Sequence, residues 1–447
     1  MPGIVGIVSK ISVDQNRQDL EVMLKSMLHE SFYSSGSYAN DHIGIYAGWI
    51  CHKDSFCDCM PVWNEKKDIA LIYFGENFTD LDLFDRLKAK HHRFDNTNAS
   101  YIVHMYEEAG MEFLKDLNGL FNGIIIDQRA NKIILFNDRY GMQKIFYYED
   151  EDKDAFYFAS EAKALLKICP KLRELDMRGF GELLSCTCVL ENRTLFKNVF
   201  LLPPASSWVF NSCSIPIKNY YFEHSEWEDQ TWLEKEFFYD RLRETFRRIL
   251  PRYFRSKNPI ALSLTGGLDT RMIMANADLP ESKYPSYTFG GMYRDCYDVK
   301  FARKVAALTC QKHTTLLVDA PFLNNFDQYA EKTVYITDGY LSIVGSSEVY
   351  VNNRAREIAP IRLTGNFGGE VLRGIRHLKS SSVNTDVYHP DFNQLIGQAH
   401  DTLNSIKQKY PLSFILFNDM PWCNNNRMVS EQSQLTLRTP NLDNDLV

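Results

Sequence analysis

The chain has 447 residues, a length that corresponds to two or three domains of ordinary size. Hydrophobic residues make up 45% and charged residues 24%, as in a typical globular protein. The net charge of −7 argues against a nucleic-acid or anionic-membrane surface, and no apolar run is long enough to span a bilayer. The ten cysteines show neither a disulfide framework nor CxxC zinc spacing, so we expect a cytoplasmic protein with reduced thiols.

The first half of the chain is predicted to be rich in strands. A glycine-punctuated apolar strand occupies residues 2–8, which is unusual because a chain terminus frays unless it pairs in a sheet. Residues 117–127 predict a strand that ends in an acid, and residues 131–148 predict two strands joined by a turn. Residues 156–166 predict a strand that runs into a helix capped near Ser160.

A link between two domains is expected around residue 220. Residues 201–205 and 215–222 contain prolines that are compatible with extended edge segments. The acidic and polar residues 223–230 are typical of a linker. We therefore predict one domain over residues 1–219 and a second over residues 220–447.

The second half alternates helices and strands. Strands separated by helices predict a parallel sheet with right-handed crossovers, whose ligand lies at the carboxyl ends of the strands. Asp298 is expected at the start of one helix, and His313, at the start of a strand, is interpreted as a packing residue rather than a ligand. The predicted elements are an amphipathic helix over 233–253, strands over 260–264, 284–291 and 313–318, and a helix over 298–308.

A glycine turn between the first of these strands and the next helix has the design of a phosphate-binding loop. Gly266 and Gly267 allow close backbone approach, and the helix that follows offers free N–H groups and a positive dipole end. Thr265 and Thr270 add hydroxyl donors, and Asp269 is suited to hold the Mg²⁺ that accompanies phosphates. The turn is neither a P-loop nor a GxGxxG turn. Taken alone, it also fits a plain strand-to-helix turn in any α/β domain.

This turn, Thr-Gly-Gly-Leu-Asp-Thr over residues 265–270, resembles the Ser-Gly-Gly-Leu-Asp-Ser pyrophosphate loop of the N-type ATP-pyrophosphatases. The order of motifs along the chain resembles the asparagine synthetase-like family, in the branch that includes β-lactam synthetases and lasso-peptide cyclases. The resemblance implies two domains: an N-terminal Ntn-type αββα sandwich of the class II glutamine amidotransferase type, and a C-terminal parallel-sheet domain of the adenine-nucleotide α-hydrolase-like (PP-loop) type. It also implies ATP and Mg²⁺ as cofactors, with ATP cleaved between its α and β phosphates.

The N-terminal half departs from the family at its functional points. Pro2 stands where the family has a cysteine, which acts through its thiol and its own α-amine. Phe74 replaces the asparagine of the Asn-Gly-Glu turn, and the Arg-Gly-Pro-Asp segment is absent near residues 34–38. We therefore predict that glutaminase activity is absent. The residues that match the family's scaffold pattern, interpreted as structural first, are Asp138, Arg139 and Glu161.

A second glycine-rich strand–turn–helix over residues 361–374 resembles the element that gives the synthetases a second acid for the magnesium–pyrophosphate. Gly369 stands where the aspartate is usual, and Glu370 follows it. Either the longer Glu370 side chain reaches the metal, or the metal site is weakened. Asn366 cannot act as a base, so the accepting nucleophile differs from that of the relatives or needs less help.

The last motif, over residues 435–447, resembles the family's Arg-x-Pro segment. In the relatives a helical region follows it and carries a lysine that stabilises the transition state. We interpret the sequence as truncated at this end, and loss of that lysine is the alternative.

The predicted function is an AMP-forming carbon–nitrogen ligase that joins a small-molecule or peptide carboxylate to an amine without glutamine hydrolysis. An impaired nucleotide-binding relative and an ammonia-dependent asparagine synthetase are the alternatives. No nucleic-acid or membrane partner is expected, and a homodimer is left open. The predicted catalytic and metal-binding residues are Asp269 and Glu370. The predicted nucleotide-binding residues are Ser263, Thr265, Gly266, Gly267, Leu268, Asp269, Thr270, Thr288, Phe289 and Gly365.

Overall fold

The computed structural model describes residues 2–211, 214–228, 230–231, 233–378, 389–406 and 410–447. Packing divides the chain into two compact units. The first comprises Met1–Asn77, Phe84–Glu228 and Gly374–Asn426, and the second comprises Phe78–Leu83, Asp229–Arg373 and Arg427–Val447. The change of unit after Glu228 lies within ten residues of the predicted boundary, and a later segment returns to the first unit.

The strands fall into three sheets. In chain order they are β1 (Gly3–Val8), β2 (Tyr33–Asn40), β3 (Ile45–His52), β4 (Val62–Trp63), β5 (Ile69–Gly75), β6 (Phe121–Asp127), β7 (Lys132–Asn137), β8 (Phe146–Asp150), β9 (Ala155–Ala159), β10 (Phe200–Leu201), β11 (Ser207–Asn211), β12 (Ile260–Ser263), β13 (Ser286–Gly291), β14 (His313–Val318), β15 (Ile361–Leu363) and β16 (Thr436–Arg438).

The α-helices are distributed over both units. In chain order they are α1 (Val13–Met27), α2 (Leu81–Ala89), α3 (Ile102–Ala109), α4 (Phe113–Asp116), α5 (Ala162–Ile168), α6 (Met177–Cys186), α7 (Ser225–Glu228), α8 (Lys235–Tyr253), α9 (Leu268–Asn276), α10 (Tyr297–Leu308), α11 (Ala320–Asn324), α12 (Phe326–Ile336), α13 (Ser346–Ile358), α14 (Gly368–Arg373), α15 (Pro390–Ser405), α16 (Pro411–Phe414) and α17 (Asn425–Gln432). A π-helix, Ile415–Asn424, precedes the last of them.

Two antiparallel sheets stack on each other in the first unit. Their strand orders are β10-β8-β9-β1-β3-β2 and β11-β7-β6-β5-β4. Every residue of β1 is buried, and the strand pairs with β3 on one side and β9 on the other, so the predicted N-terminal strand is pinned in the centre of its sheet. Helices α1 and α5 pack on the first sheet and α3 packs on the second. This arrangement is the predicted αββα sandwich.

The second unit is built on a five-stranded sheet with the order β14-β13-β12-β15-β16. Every neighbouring pair in it is parallel, as predicted. The four residues of β12 are all buried, which is typical of a strand with helices on both faces. Its Ile260 and Leu262 share a core cluster with Ile249 of α8 and Ile273 of α9. The sheet therefore presents a fixed edge on which the predicted loops lie.

Helix α5 begins at Ala162, close to the cap predicted near Ser160. The N-cap residue is Glu161, and its side chain makes no capping hydrogen bond. The Ser160 hydroxyl instead accepts a hydrogen bond from the Ile4 N–H at 3.0 Å, and so ties β9 to β1. This contact was not predicted, because local sequence pattern cannot show a partner 156 positions away.

Asp138 makes contacts that fit the structural role proposed for it. Its fully buried carboxylate accepts hydrogen bonds from the N–H groups of Tyr140, Met142 and Gln143. Burial raises the pKa of Asp138 to about 6, while those N–H groups stabilise the charged form. Glu161 also makes a contact that fits a structural role, because its Oε1 lies 2.9 Å from the His29 Nε2.

None of the described helices combines the length and the apolar character that a membrane-spanning helix needs. The nine cysteines within the described residues are all free thiols.

Candidate functional site

The predicted phosphate-binding turn lies at the carboxyl end of β12. The strand ends at the buried Ser263, and α9 begins at Leu268, whose side chain is exposed. The N-cap residue is Gly267, which has no side chain to satisfy the first N–H groups of this nine-residue helix. Such N–H groups, together with the helix dipole, favour an anion at this position.

Two threonine hydroxyls converge on this turn. The Thr265 Oγ1 accepts a hydrogen bond from the Gly267 N–H at 3.1 Å and lies 3.4 Å from the Thr270 Oγ1. Thr270 is buried, and its hydroxyl also lies 3.4 Å from the Gly267 carbonyl oxygen. The two hydroxyls therefore stabilise the turn through contacts within it.

The second glycine loop contacts the first directly. Strand β15 pairs in parallel with β12, so both loops leave the same edge of the sheet. A Cβ atom at Gly365 would lie 2.7 Å from the backbone nitrogen of Thr270, and one at Gly368 would lie 2.6 Å from the Cγ of Asp269. Glycine is required at both positions because any side chain would collide with the first turn. Gly365 therefore lies against the first turn, and its role in nucleotide binding remains a prediction.

Asp269 lies at the meeting point of the two loops. Its Oδ2 accepts a hydrogen bond from the Arg373 Nη2 at 2.8 Å, and the two side chains are 22% and 43% exposed. Glu370 lies on α14, the same short helix as Arg373, and is half-buried. The hydrogen bond between Asp269 and Arg373 thus joins α9 to α14, and a metal-binding role for Glu370 remains a prediction.

Asp298 contacts the turn, a relationship that the sequence did not reveal. Helix α10 begins at Tyr297 after the N-cap Cys296, so Asp298 lies in its first turn, as expected. Its Oδ1 accepts a hydrogen bond from the Gly266 N–H at 2.8 Å. The only available signal was an acid at the beginning of the helix after the neighbouring strand.

Thr288 and Phe289 occupy β13 beside the turn. The Thr288 hydroxyl donates to the Leu264 carbonyl at 2.8 Å and lies 2.9 Å from the Nε2 of His313. Burial lowers the pKa of His313, so this imidazole favours its neutral form. The Phe289 ring lies under the guanidinium of Arg362, 5.3 Å from the ring centre. The Thr288 and His313 side chains therefore join neighbouring strands, and the nucleotide-binding role of Thr288 and Phe289 remains a prediction.

The Arg-x-Pro segment braces the second loop. The Asn366 carbonyl accepts hydrogen bonds from the Thr439 hydroxyl at 2.6 Å and from the Asn441 Nδ2 at 3.1 Å. Asn441 also donates to the Gly365 carbonyl at 3.0 Å. The Asn366 Oδ1 accepts a hydrogen bond from the Thr364 hydroxyl at 2.9 Å. Asn441 therefore stabilises this loop.

The residues at which the first unit departs from the family lie within its strands or next to them. Pro2 is buried immediately before β1, and residues 34–38 lie within β2. Gly75, at the end of β5, has φ of +114°, and a Cβ atom there would lie 2.2 Å from the Leu120 carbonyl oxygen. The glycine of this turn is therefore sterically required, although Phe74 precedes it.

Two family models match the two halves of the chain. Residues 1–221 match the one described as a glutamine amidotransferase domain, and residues 241–445 match asparagine synthase. The chain belongs to the asparagine synthetase-like family. Its amidotransferase-like sandwich and its parallel-sheet domain are the two parts of that architecture.

Several curated proteins are similar to this asparagine synthetase-like chain. One from Methanocaldococcus jannaschii, which carries the name of a glutamine-hydrolysing asparagine synthetase 2, is 23% identical over 78% of this chain and 68% of its own length. The glutamine-hydrolysing asparagine synthetase 1 of Bacillus subtilis is 23% identical over 84% of this chain and 59% of its own length. Asparagine synthetase B of Escherichia coli is 24% identical over 59% of this chain and 42% of its own length. The match thus spans less than two thirds of the last two relatives.

Proposed function

We propose that this asparagine synthetase-like protein is an AMP-forming carbon–nitrogen ligase, which adenylates a substrate carboxylate and passes the acyl group to an amine. The observation that supports the proposal is the meeting of two glycine loops around Asp269 at the carboxyl ends of β12 and β15. This edge of a parallel sheet is where α/β proteins of this kind bind their ligands.

The first turn has the donors that a pyrophosphate leaving group needs. The N–H groups that open α9 and the hydroxyls of Thr265 and Thr270 lie together at the end of β12. Donors fixed in place stabilise the negative charge that grows on the pyrophosphate as the α–β bond of ATP breaks. Arg373, beside Asp269, adds a positive charge to the same region.

The residues at this site also fit Mg²⁺. The ion takes oxygen ligands, and Asp269 and Glu370 offer carboxylate oxygens. Gly365 and Gly368 let the second loop pack directly against Asp269. When bound, Mg²⁺ supplies positive charge to the phosphates. Arg373 holds the Asp269 carboxylate in place through its hydrogen bond.

The nitrogen is proposed to come from free ammonia or from a substrate amine. Pro2 offers no thiol, whereas the amidotransferases of this class use the thiol and the α-amine of one N-terminal cysteine. Asn366 carries no basic group, so the amine attacks the acyl-AMP without general-base help from that residue.

Pyrophosphate release from Mg-ATP tests the proposal. A panel of carboxylates is assayed with ammonium or amines, and with glutamine as the only nitrogen source. We expect release with ammonium or an amine and no glutamate formed from glutamine. Asp269→Asn should lower release roughly 100-fold, the typical loss when one charge-stabilising group is removed from a reaction centre.

The matched control is Asp278→Asn, which changes an exposed aspartate just beyond the far end of α9 and should leave release unchanged. The proposal fails if the protein binds no ATP and Asp269→Asn has no effect.

A second candidate is a relative that binds ATP without turning it over. Two features favour it. The Gly266 N–H already donates to the Asp298 carboxylate and is less available to a phosphate. Gly369 has no carboxylate to bind the metal. ATP binding by calorimetry with no pyrophosphate released under any condition would identify this case. Formation of asparagine from aspartate, ammonia and ATP would instead identify an ammonia-dependent asparagine synthetase.

A further inference from the structure

Four side chains that can bind metal meet in the first unit, on elements that the proposed ligase site does not use. Glu65 lies in the turn between β4 and β5, and His92 follows α2. His104 and Glu107 lie on α3, where a spacing of three residues places them on the same face. One ligand atom from each of the four lies within 4.8 Å of all the others.

The distances between these atoms are close to those of a tetrahedral metal site. The His92 Nδ1 lies 3.5 Å from the Glu65 Oε2 and 3.8 Å from the Glu107 Oε2. The His104 Nδ1 lies 3.5 Å and 3.6 Å from the same two oxygens. Zinc–nitrogen and zinc–oxygen bonds of about 2.0–2.2 Å in a tetrahedron separate neighbouring ligand atoms by about 3.3–3.6 Å. Shifts of a few tenths of an ångström would therefore complete the coordination.

Hydrogen bonding does not explain why these atoms converge. Separations of 3.5 Å and more are too long for good hydrogen bonds. Among the described residues, the buried His104 Nδ1 and Glu107 Oε2 have no hydrogen-bond partner. Buried polar atoms without partners are rare and costly, and a cation would satisfy them.

Three of the four side chains also form hydrogen bonds with neighbouring residues, through the atom that faces away from the cluster. Such outer contacts orient the ligands of a metal and commonly pair a carboxylate with the second nitrogen of a histidine. The contacts are Glu108 Oε1 to His92 Nε2 at 2.8 Å, Asn64 Nδ2 to Glu107 Oε1 at 3.1 Å, and the Arg93 N–H to Glu65 Oε1 at 2.9 Å.

We propose that Glu65, His92, His104 and Glu107 bind one zinc ion. Two imidazole nitrogens favour zinc over Mg²⁺ or Ca²⁺, which prefer oxygen ligands. Four protein ligands leave no open position, so the ion is structural and does not activate water. It joins the β4–β5 turn to α3 and to the loop after α2. This inference does not depend on the proposed ligase activity.

Metal titration of the full chain tests the site. Tag-free protein is stripped with a chelator, dialysed, and titrated with Zn²⁺ against a chromophoric competitor. We expect one ion per chain, a higher Tm with zinc, and the visible absorption of a tetrahedral site when Co²⁺ replaces zinc. The variants His104→Gln and Glu107→Gln should weaken zinc binding by more than roughly tenfold and lose the rise in Tm.

His91→Asn serves as the control, because His91 is an exposed neighbour with φ of +72°, a conformation that asparagine tolerates. It should bind zinc like the unmodified chain. The inference is overturned if the unmodified chain binds no stoichiometric zinc, or if both ligand variants bind it with unchanged affinity. Zinc binding by the unmodified chain is measured independently of the variants. The inference can therefore be overturned even if a variant fails to fold.

Discussion

The carboxylate of Asp298 accepts a hydrogen bond from the Gly266 N–H at 2.8 Å, where a phosphate oxygen of ATP is expected to approach. Asp298→Asn keeps an oxygen acceptor for this N–H and removes the negative charge. We predict that this variant binds ATP roughly twofold to fivefold more tightly, the usual effect of one exposed charge. Calorimetry at low salt measures it, and equal or weaker binding would show that the phosphates do not lie near Asp298.

Substitution of Ser160 tests a contact that the sequence did not reveal, the hydrogen bond from the Ile4 N–H to the Ser160 hydroxyl. Ser160→Ala leaves the buried Ile4 N–H without its acceptor, while the start of α5 keeps its contacts. We predict a loss of about 1–3 kcal/mol in the free energy of unfolding, measured by urea denaturation. Ser35→Ala, at an exposed position on β2, should change it by less than about 0.5 kcal/mol. Equal effects of the two changes would contradict the assigned role.

At the scale of elements, the two loops are expected to act as one unit. Gly365→Ala places a methyl group 2.7 Å from the Thr270 backbone nitrogen, so one loop must move away from the other. We predict a stability loss of about 1–3 kcal/mol and a clear loss of ATP affinity. Gly291→Ala, at the end of β13, meets nothing within 4 Å and should be tolerated. Normal ATP binding by Gly365→Ala would contradict the contact between the loops.

The sequence predicted the elements of this site well because each has a local signal. The apolar run before Gly266 and the similar run before Gly365 became β12 and β15, and the strand predicted over 313–318 is β14. Contacts between elements were not predictable in the same way. Asp298 reaches Gly266 from 32 positions away, and no local pattern encodes that distance.

At the scale of the whole molecule, one buried arginine joins distant segments of the second unit. Arg252 is 6% exposed and pairs with Asp80, with the fully buried Asp443, and with Asp445 near the end of the chain. Arg252→Ala leaves the Asp443 carboxylate buried without its guanidinium. We predict a loss of about 3–5 kcal/mol in the free energy of unfolding, measured by urea denaturation.

Arg248 is the matched control, since it lies one turn earlier on α8 and pairs with Asp445 at the surface. Arg248→Ala should cost less than about 1 kcal/mol. Similar losses for the two arginines would show that burial does not decide the strength of this network.

The histidine and glutamate cluster shows why sequence reasoning misses some sites altogether. Its ligands come from a turn, a loop and a helix, and only His104 and Glu107 have a helical spacing. The cysteines of this chain lack zinc spacing, and histidine and carboxylate ligands have no signature as compact as CxxC. The fold of β4, β5 and α3 brings them together.

The central claim is tested most directly by determining which bond of ATP is cut. ATP, Mg²⁺, a carboxylate and an amine are incubated with the protein, and the phosphorus-containing products are identified by nuclear magnetic resonance. An adenylating ligase releases AMP and pyrophosphate in equal amounts, and Asp269→Asn should lower both roughly 100-fold. Release of ADP and inorganic phosphate in a reaction that Asp269→Asn leaves unchanged would contradict the account.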